Sequence, residues 1–155
     1  MDLTRVSFCA GILIFCKVFC GSLSLTFDDC GSKHGNFSVV KLTGCDPATM
    51  DYCPLKKGKN TTIELTFVPA ENLTEITVKV YGYIVGVPVP FALPNPNGCV
   101  DSGIKCPVAS GSEVTYTVTM PIRQVYPKLK VDIRLELEDE QSEDAICVII
   151  PAKIV

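Results

Sequence analysis

At 155 residues, with 20% charged and 47% hydrophobic side chains, the chain has the size and composition of a single folded domain, without repeats or low-complexity segments. A formal charge of −3 argues against a nucleic-acid binder and supplies no broad basic face for anionic lipid.

Residues 1–22 place Arg5 ahead of the apolar run VSFCAGILIFCKVFC, with small residues at Cys20, Gly21, Ser22 and Ser24. That is the pattern of a secretory signal peptide cleaved between positions 20 and 24. Lys17 interrupts the run and leaves it short of the ~20 residues that span a bilayer, so a signal anchor is the weaker reading. Its removal takes Cys9, Cys16 and Cys20 from the nine cysteines and leaves an even six. Without Arg5, Lys17 and Asp2, the 14 basic and 17 acidic residues become 12 and 16, and residues 23–155 carry a charge near −4.

The first piece of the expected domain is the turn-like DCGSKHGN, in which His34, the only histidine, reads as a solvated loop residue. FSVVKL (37–42) follows as a strand. Cys45 and Cys53 flank a short segment, and Lys56, Lys57 and Lys59 form a wet turn. TIELTFV (62–68) puts Ile63, Leu65 and Phe67 on one face. In ITVKVYGYIV (76–85), Ile76, Val78, Val80 and Ile84 alternate with polar residues. Period-two alternation of this kind marks strands with one buried and one wet face.

GVPVPFALPNPNGC (86–99) breaks the pattern. Pro88, Pro90, Pro94 and Pro96 lack N–H donors and fix φ, so it is no central strand and is not expected to pair normally. Yet it carries Val87, Val89, Phe91 and Leu93, where an ordinary loop would be polar. The expectation is a stiff apolar rim at one end of the domain. Cys99 and Cys106 then flank VDSGIK. VTYTVTM (114–120) faces Val114, Tyr116, Val118 and Met120 inward. LKVDIRLELE (129–138) does so with Leu129, Val131, Ile133, Leu135 and Leu137. EDEQSED reads as a solvated hairpin, and ICVIIPAKIV (146–155) as a last strand that includes Ile150.

About seven strands and no amphipathic helix predict an all-β, immunoglobulin-like sandwich of two antiparallel sheets. Prolines on an edge are one protection such a sandwich needs. Six cysteines admit many pairings, but spacing favours Cys45–Cys53 and Cys99–Cys106 as local staples. Cys30–Cys147 would then tie the first strand to the last, contributing ~4 to 5 kcal/mol by loop entropy. Paired zinc knuckles are absent from the spacing. The sequons at Asn36, Asn60 and Asn72 predict surface glycans.

No nucleophile elbow, zinc-protease motif or phosphate loop is found, and the acidic run 136–144 lacks the spacing of a calcium loop. The expectation is a non-enzyme without cofactor or metal. The inward faces are apolar throughout, and periodicity alone does not separate a filled core from an apolar cavity between the sheets.

The motifs DCGS (29–32), GVPVPF (86–91), NGC…SGIKCP (97–107), MPI…YP (120–127) and C-x-x-IP (147–151) hold their order over residues 29–155. Together they resemble the ML lipid-recognition domain family, closest to its soluble sterol-transfer branch. The resemblance implies the sandwich, the three disulfides paired as above, and a lipid cavity between the sheets. It places Val89, Phe91, Ile122, Tyr126 and Pro127 at the mouth, and Leu42, Ile63, Leu65, Ile84, Ile133, Leu135 and Ile150 on deeper walls. Relatives often carry Trp where Leu135 and Val148 stand here, so the cavity is expected to differ in shape.

The function this implies is a secreted or endosomal–lysosomal monomeric carrier of sterol or another apolar lipid. It would pass cargo to a membrane surface or membrane-protein acceptor. The alternatives are a lipid-binding immune adaptor, for which Lys128 and Lys130 are thin support, a carrier of fatty acids or small hydrophobic signals, and a structural or adhesive sandwich with a filled core.

Overall fold

The computed structural model describes residues 24–155, so the signal-peptide reading lies outside it. Nine strands occur among them: β1 (Asp28–Asp29), β2 (Gly35–Leu42), β3 (Cys53–Leu55), β4 (Asn60–Pro69), β5 (Thr77–Ile84), β6 (Val87–Pro90), β7 (Val114–Pro121), β8 (Lys130–Glu138) and β9 (Asp144–Ile154). The six long strands are those that the sequence marks out, four of them (β4, β5, β7 and β8) by alternation. The short β1, β3 and β6 raise the count from about seven.

A six-stranded sheet runs β1-β9-β8-β5-β6, with β3 also on β9, and a three-stranded sheet runs β2-β4-β7. All pairings are antiparallel except β3 with β9, which is parallel. The in-phase residues meet in the middle: Ile63, Leu65 and Phe67 of β4 face Ile133, Leu135 and Ile150 of β8 and β9, all 0% exposed. Each such side chain contributes about 1.5–3 kcal/mol by leaving water.

The proline segment departs from expectation, because β6 pairs regularly with β5. The register sets Ile84 against Val87, Tyr83 against Pro88, Gly82 against Val89 and Tyr81 against Pro90. Phe91 then donates its N–H to the Val80 carbonyl at 2.8 Å. Antiparallel ladders alternate hydrogen-bonded and non-bonded pairs. Val87, Val89 and Phe91 take the bonded positions, and Pro88 and Pro90 turn their donor-less nitrogens to solvent. The prolines therefore permit an edge strand that no further strand can extend.

The structure pairs Cys30 with Cys147, Cys45 with Cys53, and Cys99 with Cys106. In DCGS, Asp29 Oδ1 accepts the N–H groups of Gly31 and Ser32, and Ser32 Oγ accepts that of Cys147. The motif fastens the chain start to β9. Far from the proline edge the sheets come close: a Cβ on Gly35 would lie 2.6 Å from the Val68 carbonyl oxygen and 2.9 Å from Ile146 Cδ1.

Two polar expectations also change. The acidic run is a hairpin solvated only at its tip, Glu140, Gln141 and Ser142, because Glu136, Glu138 and Asp139 are buried. Lys79 covers Glu138 at 2.6 Å, and Arg134 lies between Glu136 and Asp144. Burial, aided by Asp144, pushes the Glu136 carboxyl above its ordinary range despite Arg134. His34 is half-buried and pairs with carboxylates on both ring nitrogens, so it is no free loop histidine.

Candidate functional site

The β5–β6 connection is a two-residue turn, Val85–Gly86, with φ of 50° and 79°. Positive φ at both positions is what a type I′ turn requires, and its twist matches the strands it joins. Glycine adopts it freely, whereas a β-branched valine is strained there. Val85 is nonetheless 98% exposed, and Val87 and Val125 nearby are 60% and 83% exposed.

Behind this turn lies an apolar pocket of about 120 Å³, lined by Gly82, Ile84, Val89, Pro90, Phe91, Tyr126, Pro127, Val131 and Ile154. It opens at the end of the sandwich where β5 finishes and β8 begins. The β6 register puts Val87, Val89 and Phe91 on the inward side of β5. The Phe91 ring crosses over Gly82, and a Cβ there would sit 2.8 Å from Phe91 Cε2 and 2.9 Å from Val131 Cγ2. Gly82 is thus the gap that seats the ring. Phe91 meets Tyr126 edge-on, with centroids 5.9 Å apart and planes at 82°. The two rings close the mouth from opposite sides, one on the six-stranded sheet's edge and one on the β7–β8 loop.

The structure therefore gathers Ile84, Val89, Phe91, Tyr126 and Pro127 around one pocket. Ile122 is not on its wall. It is 1% exposed beneath the loop, where its N–H reaches the Lys59 carbonyl at 2.9 Å and its carbonyl accepts from Gly58 at 2.6 Å. Leu42, Ile63, Leu65, Ile133, Leu135 and Ile150 lie deeper, in the closed core. Gly82, Pro90, Val131 and Ile154 are pocket residues that sequence reasoning did not select. Val131 shared the phase of Ile133, and Gly82 is the one small residue at an inward position of its strand.

Among the lining residues only Tyr126 can titrate, which gives the pocket no acid–base pair and no metal-ligand set. Cations stand outside it. Lys130 and Lys153 are register partners, and both ammonium groups lie over the Tyr52 ring, at 5.8 and 5.2 Å. The site can exclude water from an apolar body and leave a polar end near solvent.

The chain is 41% identical to NPC intracellular cholesterol transporter 2 homolog a of Drosophila melanogaster, over 94% of each chain. It is 35% identical to NPC intracellular cholesterol transporter 2 of Mus musculus, over 84% of this chain and 85% of that one. Among solved structures, a Niemann-Pick type C2 protein from Japanese carpenter ant aligns with a TM-score of 0.80 at 34% identity, over 84% of this chain and all of that one. The ML domain profile matches residues 24–154. With that match spanning both sheets and the mouth between them, the chain belongs to the ML domain family.

Proposed function

We propose that the protein is a carrier that takes a sterol or similar lipid between its sheets and hands it to a membrane or a membrane-protein acceptor. The observation that carries this reading is the apolar pocket at one end of the sandwich, stoppered by Phe91 and Tyr126. Relatives named as cholesterol transporters support it.

At about 120 Å³ the pocket is too small to take a whole sterol without its walls parting. Ligand pockets commonly exceed ~300 Å³. An empty void of that size would cost about 7 kcal/mol at ~24 cal/mol per Å³, so side chains fill it. Cargo would swing Phe91 and Tyr126 aside, part Ile84 and Val131 from the opposing wall, and reach Leu42, Ile63, Leu65, Ile133, Leu135 and Ile150. These faces are apolar, so parting them leaves few buried polar groups without partners. Burying about ten methylene equivalents of guest would return about 8 kcal/mol, roughly micromolar binding before costs are subtracted. Ile122 would buttress the loop that carries Tyr126. No covalent step is needed, which makes a carrier a better reading than an enzyme.

Val85, Val87 and Val125 would meet the membrane. A valine held at positive φ and bare to solvent is poor for stability, which favours a contact role for the turn. Residues 1–22 would route the chain to secretion, and so to extracellular fluid or the endosomal–lysosomal lumen. Asn36, Asn60 and Asn72 are all exposed, as glycan acceptors must be.

Titration with a fluorescent sterol, followed by transfer to acceptor vesicles, tests the reading. Saturable binding of one sterol per chain is expected. No uptake, together with no lipid extracted from protein of its native source, would reject it.

A further inference from the structure

At the end of the sandwich opposite the mouth, His34 stands among carboxylates from both sheets. It precedes β2, Glu71 follows β4, and Asp139 and Glu143 belong to the turn between β8 and β9. His34 Nε2 lies 3.0 Å from Glu143 Oε2 and 3.6 Å from Asp139 Oδ2. One ligating atom from each residue falls within 4.8 Å of the other two. We propose that His34 Nε2, Asp139 Oδ2 and Glu143 Oε2 form a zinc site, with a fourth position left to water.

Spacing is the first support. Tetrahedral zinc with bonds of ~2.0–2.1 Å sets its ligand atoms about 3.3 Å apart, between the two separations found. The second is that each ligand is already oriented from behind. Glu71 Oε1 lies 3.3 Å from His34 Nδ1, as in carboxylate–histidine–zinc arrangements. Asp139 Oδ1 accepts the N–H groups of Gln141 and Glu143 at 2.9 and 3.0 Å. Lys33 Nζ holds Glu143 Oε1 at 2.9 Å.

Burial adds an independent reason. The Asp139 side chain is 4% exposed, and His34 is its one cationic neighbour within 4.0 Å among the described residues. Asp139 Oδ1 is taken by two backbone N–H groups, while Asp139 Oδ2 stands 3.6 Å from His34 Nε2, beyond hydrogen-bond reach and open to a closer cation. One imidazole with two carboxylates at this spacing suits zinc better than calcium or magnesium, which prefer six or more oxygens. The bound ion would join the start of β2 to the β8–β9 turn. The sheets would then be clamped at one end while the other admits a guest.

The test is equilibrium dialysis and calorimetry of the chelator-treated secreted protein with zinc sulfate at neutral pH, beside visible spectra with cobalt(II). One zinc per chain is expected, with the intense bands of four-coordinate cobalt. His34→Gln and Glu143→Gln should each weaken zinc binding by about 100-fold, and Glu71→Gln by about 10-fold. Glu64→Gln, on the exposed face of β4, should leave it unchanged. Absence of stoichiometric zinc, or binding indifferent to His34→Gln, would overturn the site and leave an ion-pair clasp. If a variant fails to fold, the wild-type cobalt spectrum decides alone, since missing four-coordinate bands also overturn it.

Discussion

Phe91 joins the mouth to the core, because its ring occupies the space that a side chain on Gly82 would take. Phe91→Ala and Tyr126→Ala should each weaken sterol binding at least about tenfold, measured by fluorescent titration, while the melting transition stays cooperative. Their edge-on contact contributes about 0.5–1.5 kcal/mol beyond burial, little enough that the fold survives without it. Wild-type binding in both variants would show the guest entering elsewhere. Gly82→Ala reaches the same ring from behind. Its methyl must displace Phe91 or Val131, and a loss of about 1–3 kcal/mol in denaturant unfolding is expected. Tyr116 offers a pH prediction. Burial pushes its hydroxyl from 10.0 up to about 12. The folded chain keeps this proton where the unfolded chain has lost it, so stability falls as pH rises from about 10 towards 12. Tyr116→Phe should flatten that fall in unfolding free energies measured across the range.

Among the elements, the β5–β6 hairpin shows both how much the sequence discloses and where it stops. Alternation in ITVKVYGYIV and LKVDIRLELE gave β5 and β8 directly, because one buried face imposes a period of two. β6 was hidden. Proline content counts against a strand only when the missing N–H faces a partner, and which nitrogens face a partner depends on register. Register in turn follows from the Val85–Gly86 turn, whose type could not be read from a valine at a position that favours Asn or Gly. Val85→Asn should therefore stabilise the fold by about 1 kcal/mol in chemical denaturation, by relieving the left-handed strain. Under the proposed membrane contact it should also slow sterol transfer to vesicles while leaving equilibrium sterol binding unchanged. The candidate site was legible to the same degree. The resemblance named five residues that gather at the pocket, because short motifs fix loop identity. It put Ile122 beside them because sequence adjacency to Pro121 does not tell which side of a loop a side chain takes. Val131 and Ile154 were missed because inward phase reveals burial but not nearness to an opening. His34 and the acidic turn were misread for a different reason. They lie 105 or more positions apart along the chain, and only β9 returning past the start of β2 brings them together.

At the scale of the molecule, the long disulfide and the closed middle set how the two layers behave. Cys30–Cys147 has a sequence separation of 117 and restrains nearly the whole unfolded chain. Replacing both cysteines by alanine should lower stability by about 4–5 kcal/mol on the loop-entropy estimate, whereas the eight-residue separation of Cys45–Cys53 predicts a smaller loss. Unfolding of each variant under matched redox conditions measures the difference. Because the DCGS turn, this bridge and the close approach at Gly35 hold one end, the opposite end is left to widen. The walls that would receive a guest are the same groups that pack against one another in the core. As a lipid withdraws, each length vacated can be reoccupied by Ile, Leu and Val side chains already in position. Departure then resembles a zip closing behind its slider, with the cost of release spread along the path and no hollow shell left to recapture what it has delivered.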